Sequence, residues 1–201
     1  MEIIKKPLGL YKTNCYILKE GNEAVIIDPG FHGRQIVELL AKANPLAILL
    51  THGHCDHICA VDYLYKIYGM PIYMNKKDDI LLHTKRRMPS AYKGHFTSPY
   101  NDLTAGIISF GPFSFKVHET PGHSEGSVFL EIGAHLFTGD TLFKNNIGNT
   151  NTFNGDAEAM QKTLTYIKTL SPHLSIYPGH AENSDLKVEF ENNPWLQNRG
   201  E

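Results

Sequence analysis

Four short apolar runs mark the chain, at residues 24–27, 46–50, 135–137 and 174–177. Each is of strand length and rich in β-branched or aromatic side chains, which predicts buried strands. Residues 15–18 and 113–117 alternate apolar with polar positions and predict half-exposed strands. Helical spacing lies between them. Ile36, Leu39, Leu40 and Ala43 share one face, with Pro45 as the stop. Val61, Leu64, Tyr65 and Tyr68 do the same before Gly69, and Met160, Leu164, Ile167 and Leu170 come after the acids Asp156 and Glu158. Residues 185–193 predict a last helix, stopped by Pro194. Strands and helices alternate, so the fold class is α/β or a layered mixture.

The informative residues stand just beyond the strands. The strands run into Asp28-Pro29-Gly30, into Thr51-His52-Gly53-His54-Cys55-Asp56-His57, into Thr120-Pro121-Gly122-His123, into Thr138-Gly139-Asp140 and into Pro178-Gly179-His180. Sites in sheet proteins form beyond strand ends, where glycine lets the backbone turn sharply and approach a ligand. Residues two apart on extended chain share a face, so His52 and His54 are placed to grip one metal ion. Asp56 and His57 stand at the turn into a helix beginning near Ile58 and point elsewhere, toward a second ion; Asp56 as cap of that helix is the alternative. With His123, Asp140 and His180 the set holds five imidazoles and two carboxylates. Such a set suits two metal ions with one bridging carboxylate, leaves positions open for water, and without thiolate favours Zn, Fe or Mn.

Composition narrows the class. The chain has 201 residues, 41% hydrophobic and 20% charged, which is ordinary for a globular protein large enough to fold without disulfides. Its 11 histidines are the unusual count. A formal net charge of -2 argues against a nucleic-acid partner, and 3 cysteines argue against a secreted disulfide framework. No apolar run approaches the roughly 18 residues of a membrane helix, and residues 1–7 lack the pattern of a signal peptide. The expectation is one cytoplasmic domain over residues 1–201, with a lid or insertion loop around 85–106 that contains Tyr92, Phe96 and Tyr100. Lys85-Arg86-Arg87 reads as the basic end of a helix that starts near Asn75, with an anion contact as the alternative. Cys15, Cys55 and Cys59 read as small buried hydrophobes. His32 is a candidate for lining the cleft, and the histidines at 83, 95, 118, 135 and 173 receive no role.

The motif set T-H-G-H-C-D-H, P-G-H-S-E-G-S, T-G-D-T-L-F and Y-P-G-H resembles the metallo-β-lactamase superfamily, in that family's order. T-N-C-Y-I, I-I-D-P-G and N-N-P-W-L resemble its short, single-domain glyoxalase II-like branch. The resemblance implies a four-layer αββα sandwich and two divalent ions, Zn first and Fe or Mn as alternatives. It implies His52, His54 and His123 as ligands of the first ion, Asp56, His57 and His180 of the second, and Asp140 as the bridge. Lactamase members usually lack the bridging aspartate, and flavin-partnered members carry Glu where His54 stands, so the resemblance points away from both activities. The branch usually carries a basic residue near Gly148 that contacts the glutathione carboxylate; here Asn149 stands there, and no substrate-binding residue is carried over.

The implied activity is hydrolysis of a small-molecule thioester by metal-bound hydroxide, with Asp56 orienting the water and accepting its proton. A thiolate, with a thiol pKa near about 8.5, leaves without the general acid that these motifs do not supply. A mononuclear iron persulfide dioxygenase using His52, His54, His123 and Asp140 is the oxidoreductase alternative. A lactone or phosphodiester hydrolase is the hydrolytic one, and a non-enzymatic metal-binding protein is disfavoured by the open coordination positions.

Overall fold

The computed structural model describes residues 1–83 and 95–197. Lys85-Arg86-Arg87 and Tyr92 lie outside the described residues. Six strands make the first sheet, in sequential order: β1 (Glu2–Leu8), β2 (Thr13–Glu20), β3 (Glu23–Ile27), β4 (Asn44–Leu49), β5 (Ile72–Met74) and β6 (Asn101–Asp102). The first three are antiparallel; β3, β4, β5 and β6 run parallel. The second sheet begins with the antiparallel meander β7 (Gly106–Phe110), β8 (Phe113–Glu119), β9 (Val128–Ile132) and β10 (His135–Gly139). A small hairpin, β11 (Leu142–Phe143) with β12 (Asn146–Ile147), comes next. Then β13 (Ser175–Pro178) pairs parallel to β10, and β14 (Ser184–Asp185) forms the edge.

This topology collects the strand ends. β3 and β4 are parallel, so their carboxyl ends emerge on one rim of the first sheet. In the second sheet β8 and β10 both oppose β9, and β13 runs alongside β10, so these three also end on one rim.

Each sheet is covered by helices on its outer face. α1 (Gly33–Leu40) and α3 (Val61–Tyr68) lie on the first, with the single turn α2 (Cys55–Ile58) between them in sequence. α4 (Asp79–His83) comes after a 3₁₀ turn at Lys76–Asp78, and α5 (Ala157–Ile167) and α6 (Leu186–Asn192) belong to the second. Alternation along the strands decides which layer each side chain joins. On β2, β3 and β4, Ile17, Ile26 and Ile48 meet Ile36, Leu40, Val61 and Leu64 of the helices. Their neighbours Leu18, Val25, Ile27 and Leu49 face inward against Phe113, Phe115, Val117, Leu130 and Phe137 of the second sheet. Phe129, Leu136 and Ile176 point the other way, onto Met160, Leu164 and Ile167 of α5 and Leu186 of α6. The order is therefore helix, sheet, sheet, helix: the αββα sandwich.

Several expectations are corrected. The residue 15–18 strand is buried throughout, because β2 lies between β1 and β3 with apolar layers on both faces. α1 ends at Leu40, where Ala41 turns left-handed, so Pro45 lies within β4 and stops no helix. Asp56 lies inside α2, whose N-cap is His54, so it does not cap the helix. β1 is not legible in its mixed polar sequence. Cys15 is buried, but Cys55 and Cys59 are only half-buried. From the loop expected around 85–106, residues 84–94 lie outside the described residues. Farther on, Phe96 joins the outer core, Thr97 and Ser98 donate to the Asp62 carboxylate, and β6 extends the first sheet.

Candidate metal centre

The two rims meet edge to edge, and the predicted residues converge there in two trios. Ligand-capable atoms of His52, His54 and His123 lie within 4.8 Å of one another, and so do those of Asp56, His57 and His180. Asp140 stands between the trios. Its Oδ2 is 3.6 Å from His123 Nε2 and 3.4 Å from His180 Nε2, and its Oδ1 is 3.4 Å from His57 Nε2. Each trio draws on both sheets: the residue 52–57 segment leaves β4, His123 lies beyond β8 and His180 beyond β13. Gly179 is required by this crowding, since a Cβ there would collide with Asp140 Oδ1 and sit 2.7 Å from His57 Cε1.

The rings are oriented from behind. His57 Nδ1 donates to Asp28 Oδ2 at 2.9 Å, His123 Nδ1 to the Asn149 carbonyl at 2.8 Å, and His180 Nδ1 to the Tyr11 carbonyl at 3.0 Å. Thr51 Oγ1 donates to Asp28 Oδ2, so its lone pair is free to accept from His52 Nδ1 at 3.1 Å. With Nδ1 tied from behind, Nε2 of these four rings is aimed inward, where its lone pair can ligate a cation when it carries no proton. His54 differs: its Nδ1 faces His123 Nε2 at 2.9 Å.

The burial of these atoms tests whether metal fits. His52 Nε2, His54 Nε2, His57 Nε2 and Asp140 Oδ1 are buried with no hydrogen-bond partner among the described residues. Orphaned polar atoms of this kind are costly and rare in a folded interior. Cations held among them relieve that cost, so the donor set fits two divalent ions.

The two trios differ in charge. Burial, reinforced by neighbouring imidazoles, pushes His52 well below its ordinary pKa and His54 down to about 3, and burial lowers His123 as well. These three are neutral imidazoles, the form that binds metal. Burial opposes charge on His57 and His180 too, but the carboxylates overcome it. Asp140, Asp56 and Asp28 hold His57 well above its usual value, and Asp140 and Asp56 raise His180 to about 9. Reciprocally, and again against burial, His57 and His180 hold Asp56 at about 2 and Asp140 well below the carboxylate range. Protons on the second trio and a cation therefore compete for the same carboxylate charge.

Supporting residues outside the predicted ligand set complete the centre. Asp28, in the sequence only a strand end, adopts a left-handed φ of 50° and accepts from Thr51 N, Thr51 Oγ1 and His57. From β2, Thr13 Oγ1 donates to Asp56 Oδ2 at 3.0 Å, Asn14 Nδ2 donates to the carbonyls of Pro178 and Ala181, and Tyr16 Oη donates to Pro178. Asp78 ties together the loops around His52, His54 and His123. Asn149 serves the centre through its backbone carbonyl. The remaining histidines fall elsewhere: His32 is the left-handed N-cap of α1, and His118 pairs with Tyr166 and Glu131.

The family profile of the metallo-beta-lactamase superfamily matches residues 8–180, and the chain belongs to that superfamily. Its members bind dinuclear metal centres, and membership supports a metal-dependent enzyme of the hydrolase kind. Among relatives, the chain is 31% identical to the probable metallo-hydrolase YqgX of Bacillus subtilis, over 96% of each chain. It is 28% identical to the hydroxyacylglutathione hydrolase GloC of Haemophilus influenzae, over 99% of each. Among solved structures, a B3 metallo-beta-lactamase, BLEG-1, superposes with a TM-score of 0.88 at 32% identity, covering 97% of this chain and 99% of that one. TTHA1623 in a di-iron-bound form gives 0.87 at 32% identity, covering 96% and 100%. Among the described residues no helix is long and apolar enough to cross a membrane.

Proposed function

We propose that this chain is a dinuclear metallohydrolase that cleaves a small thioester. The observation that carries the reading is the pair of inward-facing trios joined by Asp140, with buried donor atoms that no protein group satisfies. His52, His54 and His123 would hold one ion, Asp56, His57 and His180 the other, and Asp140 both. Two divalent cations held there, zinc in the simplest case, would supply Lewis acidity, which lowers the pKa of a water toward about 7 and polarises a carbonyl. The chain's own work is orientation. Asp56, pinned by the Thr13 hydroxyl, aims the attacking water at the carbonyl carbon and takes its proton. Among the described residues the set offers no dedicated general acid, and a thiolate leaving group needs none.

The relative that hydrolyses a hydroxyacylglutathione supports the thioester class. The exposed Asn149 offers no cation to a glutathione carboxylate, which leaves the thiol carrier open in this proposal. We place the enzyme in the cytoplasm, in keeping with three free cysteines and a charge that recruits neither nucleic acid nor an acidic surface.

The test is a substrate panel on metal-loaded protein: acyl thioesters of glutathione and of smaller thiols, a lactone, a phosphodiester, and a β-lactam because of the BLEG-1 likeness. A persulfide arm with oxygen uptake completes it. Thioester hydrolysis is expected to lead. Asp56→Asn keeps an oxygen that can ligate but no proton acceptor, so metal is expected to stay while turnover falls about 10²–10⁴-fold, the usual worth of general base catalysis. Near-normal turnover in that variant, or oxygen consumption by a one-iron protein, contradicts the proposal.

A further inference from the structure

Asp78 is a fully buried carboxylate with no lysine or arginine paired to it among the described residues. It ends the 3₁₀ turn after β5, on the first sheet's side. Each of its oxygens receives one glycine N–H and one side-chain donor. Oδ2 accepts from Gly53 N at 2.8 Å and Ser124 Oγ at 2.7 Å; Oδ1 accepts from Gly126 N at 2.7 Å and Asn154 Nδ2 at 2.9 Å.

The donors are not scattered. Gly53 separates His52 from His54. Ser124 and Gly126 come directly after His123. Asn154 belongs to the loop whose Asn149 carbonyl accepts from His123 Nδ1 and whose Thr152 hydroxyl donates to the His123 carbonyl. One carboxylate thus gathers the three backbone segments that carry or hold His52, His54 and His123. Three of its four donors lie outside the segments that carry Asp56, His57 and His180; the fourth, Gly53, lies on the shared 52–57 segment, where Asp56 and His57 have their own ties to Thr13 and Asp28. The two glycines answer to the same contact. A Cβ on Gly53 would lie 2.9 Å from Asp78 Cβ, and one on Gly126 would lie 2.6 Å from Asp78 Cγ. The glycine inside H-G-H and the one in S-E-G therefore leave room for Asp78.

We infer that Asp78 is a positioning residue for the ion held by His52, His54 and His123, and that the ion at Asp56, His57 and His180 does not depend on it. The inference rests on the dinuclear reading above. Asn at 78 keeps the volume and removes the function. Whichever way its amide flips, its NH₂ faces a glycine N–H that the carboxylate accepted, and that buried donor is left unpaired.

The experiment is zinc competition against a chromophoric chelator, resolving the two binding steps, with metal content at fixed free zinc as a second readout. Wild type is expected to bind two ions. Asp78→Asn is expected to weaken one step about 10–100-fold, the usual effect of losing an outer partner, and to leave the other unchanged. In a His180→Ala background, where the second trio is broken, Asp78→Asn is expected to weaken the remaining ion by the same factor. Ser124→Ala and Asn154→Ala are expected to weaken the same step by less. Leu164→Ala lowers stability without touching either trio and is expected to keep both steps. Unchanged affinities in Asp78→Asn, or equal weakening of both ions, overturn the inference. If Asp78→Asn does not fold, the Ser124 and Asn154 variants decide by the same criterion. A wild type that binds no second ion overturns the dinuclear reading instead, before any variant is compared.

Discussion

The two trios of the centre are built from the same parts and held in opposite ways. His52, His54 and His123 are neutral imidazoles, and the loops that carry them are tied across the two sheets by an anion, Asp78, which only accepts. Asp56 and Asp140 hold the His57 and His180 imidazoles toward their charged form, and the His180 loop is tied to the first sheet by donors. Asn14 and Tyr16 of β2 give their hydrogens to Pro178 and Ala181 carbonyls. In both cases buried side chains from the first sheet's side fix a loop of the second. The difference shows that the halves of one centre have separate supports, so each can be weakened without the other. Asp140 is the exception, since it faces both.

The largest effect should come from breaking that exception. Asp140→Ala removes the shared carboxylate, and metal analysis should show both ions weakened. Lewis-acid stabilisation worth several kcal/mol corresponds to a loss of about a thousandfold or more in turnover. Next come single-trio variants. His54→Ala and His180→Ala should each bring metal content from two ions toward one, and cobalt-substituted spectra should show that different ions are lost. A smaller effect is expected from the β2 support. Asn14→Ala removes one of the two donors to each of the Pro178 and Ala181 carbonyls, which keep Tyr16 Oη and Lys5 Nζ, and should cost about 0.5–1.5 kcal/mol in denaturant unfolding. It should also weaken the His180-side ion by roughly tenfold, leaving the other step intact; weakening of both steps would erase the contrast between the trios.

The smallest expected effect lies outside the centre. His118 is buried beside Tyr166, Glu131 and Lys116, and burial lowers its pKa despite the Glu131 carboxylate. The unfolded chain then binds the proton more readily than the folded one. The stability this group contributes is present above the unfolded value of about 6.5 and is lost as pH falls below it. His118→Gln should flatten the acid side of the pH–stability curve relative to wild type, with metal content unchanged.

The legibility of each part in the sequence depends on its physics. Buried strands at residues 24–27 and 135–137 are continuous apolar runs, so they can be read directly, as can the α3 stop at Gly69, which is left-handed. The ligand candidates stand out because five strands end in Asp or His beside Gly or Pro, and parallel register brings those ends together. β1 escapes because an edge strand needs little apolar sequence, and the residue 15–18 strand is misjudged because alternation cannot show that both faces are covered. Asp78 escapes for a different reason. Its partners are backbone N–H groups of residues 25 to 48 positions away, and K-K-D-D carries no local sign of them. The glycines at 53 and 126 are the only trace, visible once the carboxylate is seen against them.

The central claim is that two ions sit in two separately supported trios. Its most direct test is metal identity and stoichiometry in protein purified without added metal or chelator. The account predicts two divalent ions per chain, two zinc ions or a zinc and iron pair. A single iron per chain, or a chain that fills one site and refuses the second at saturating metal, would contradict it.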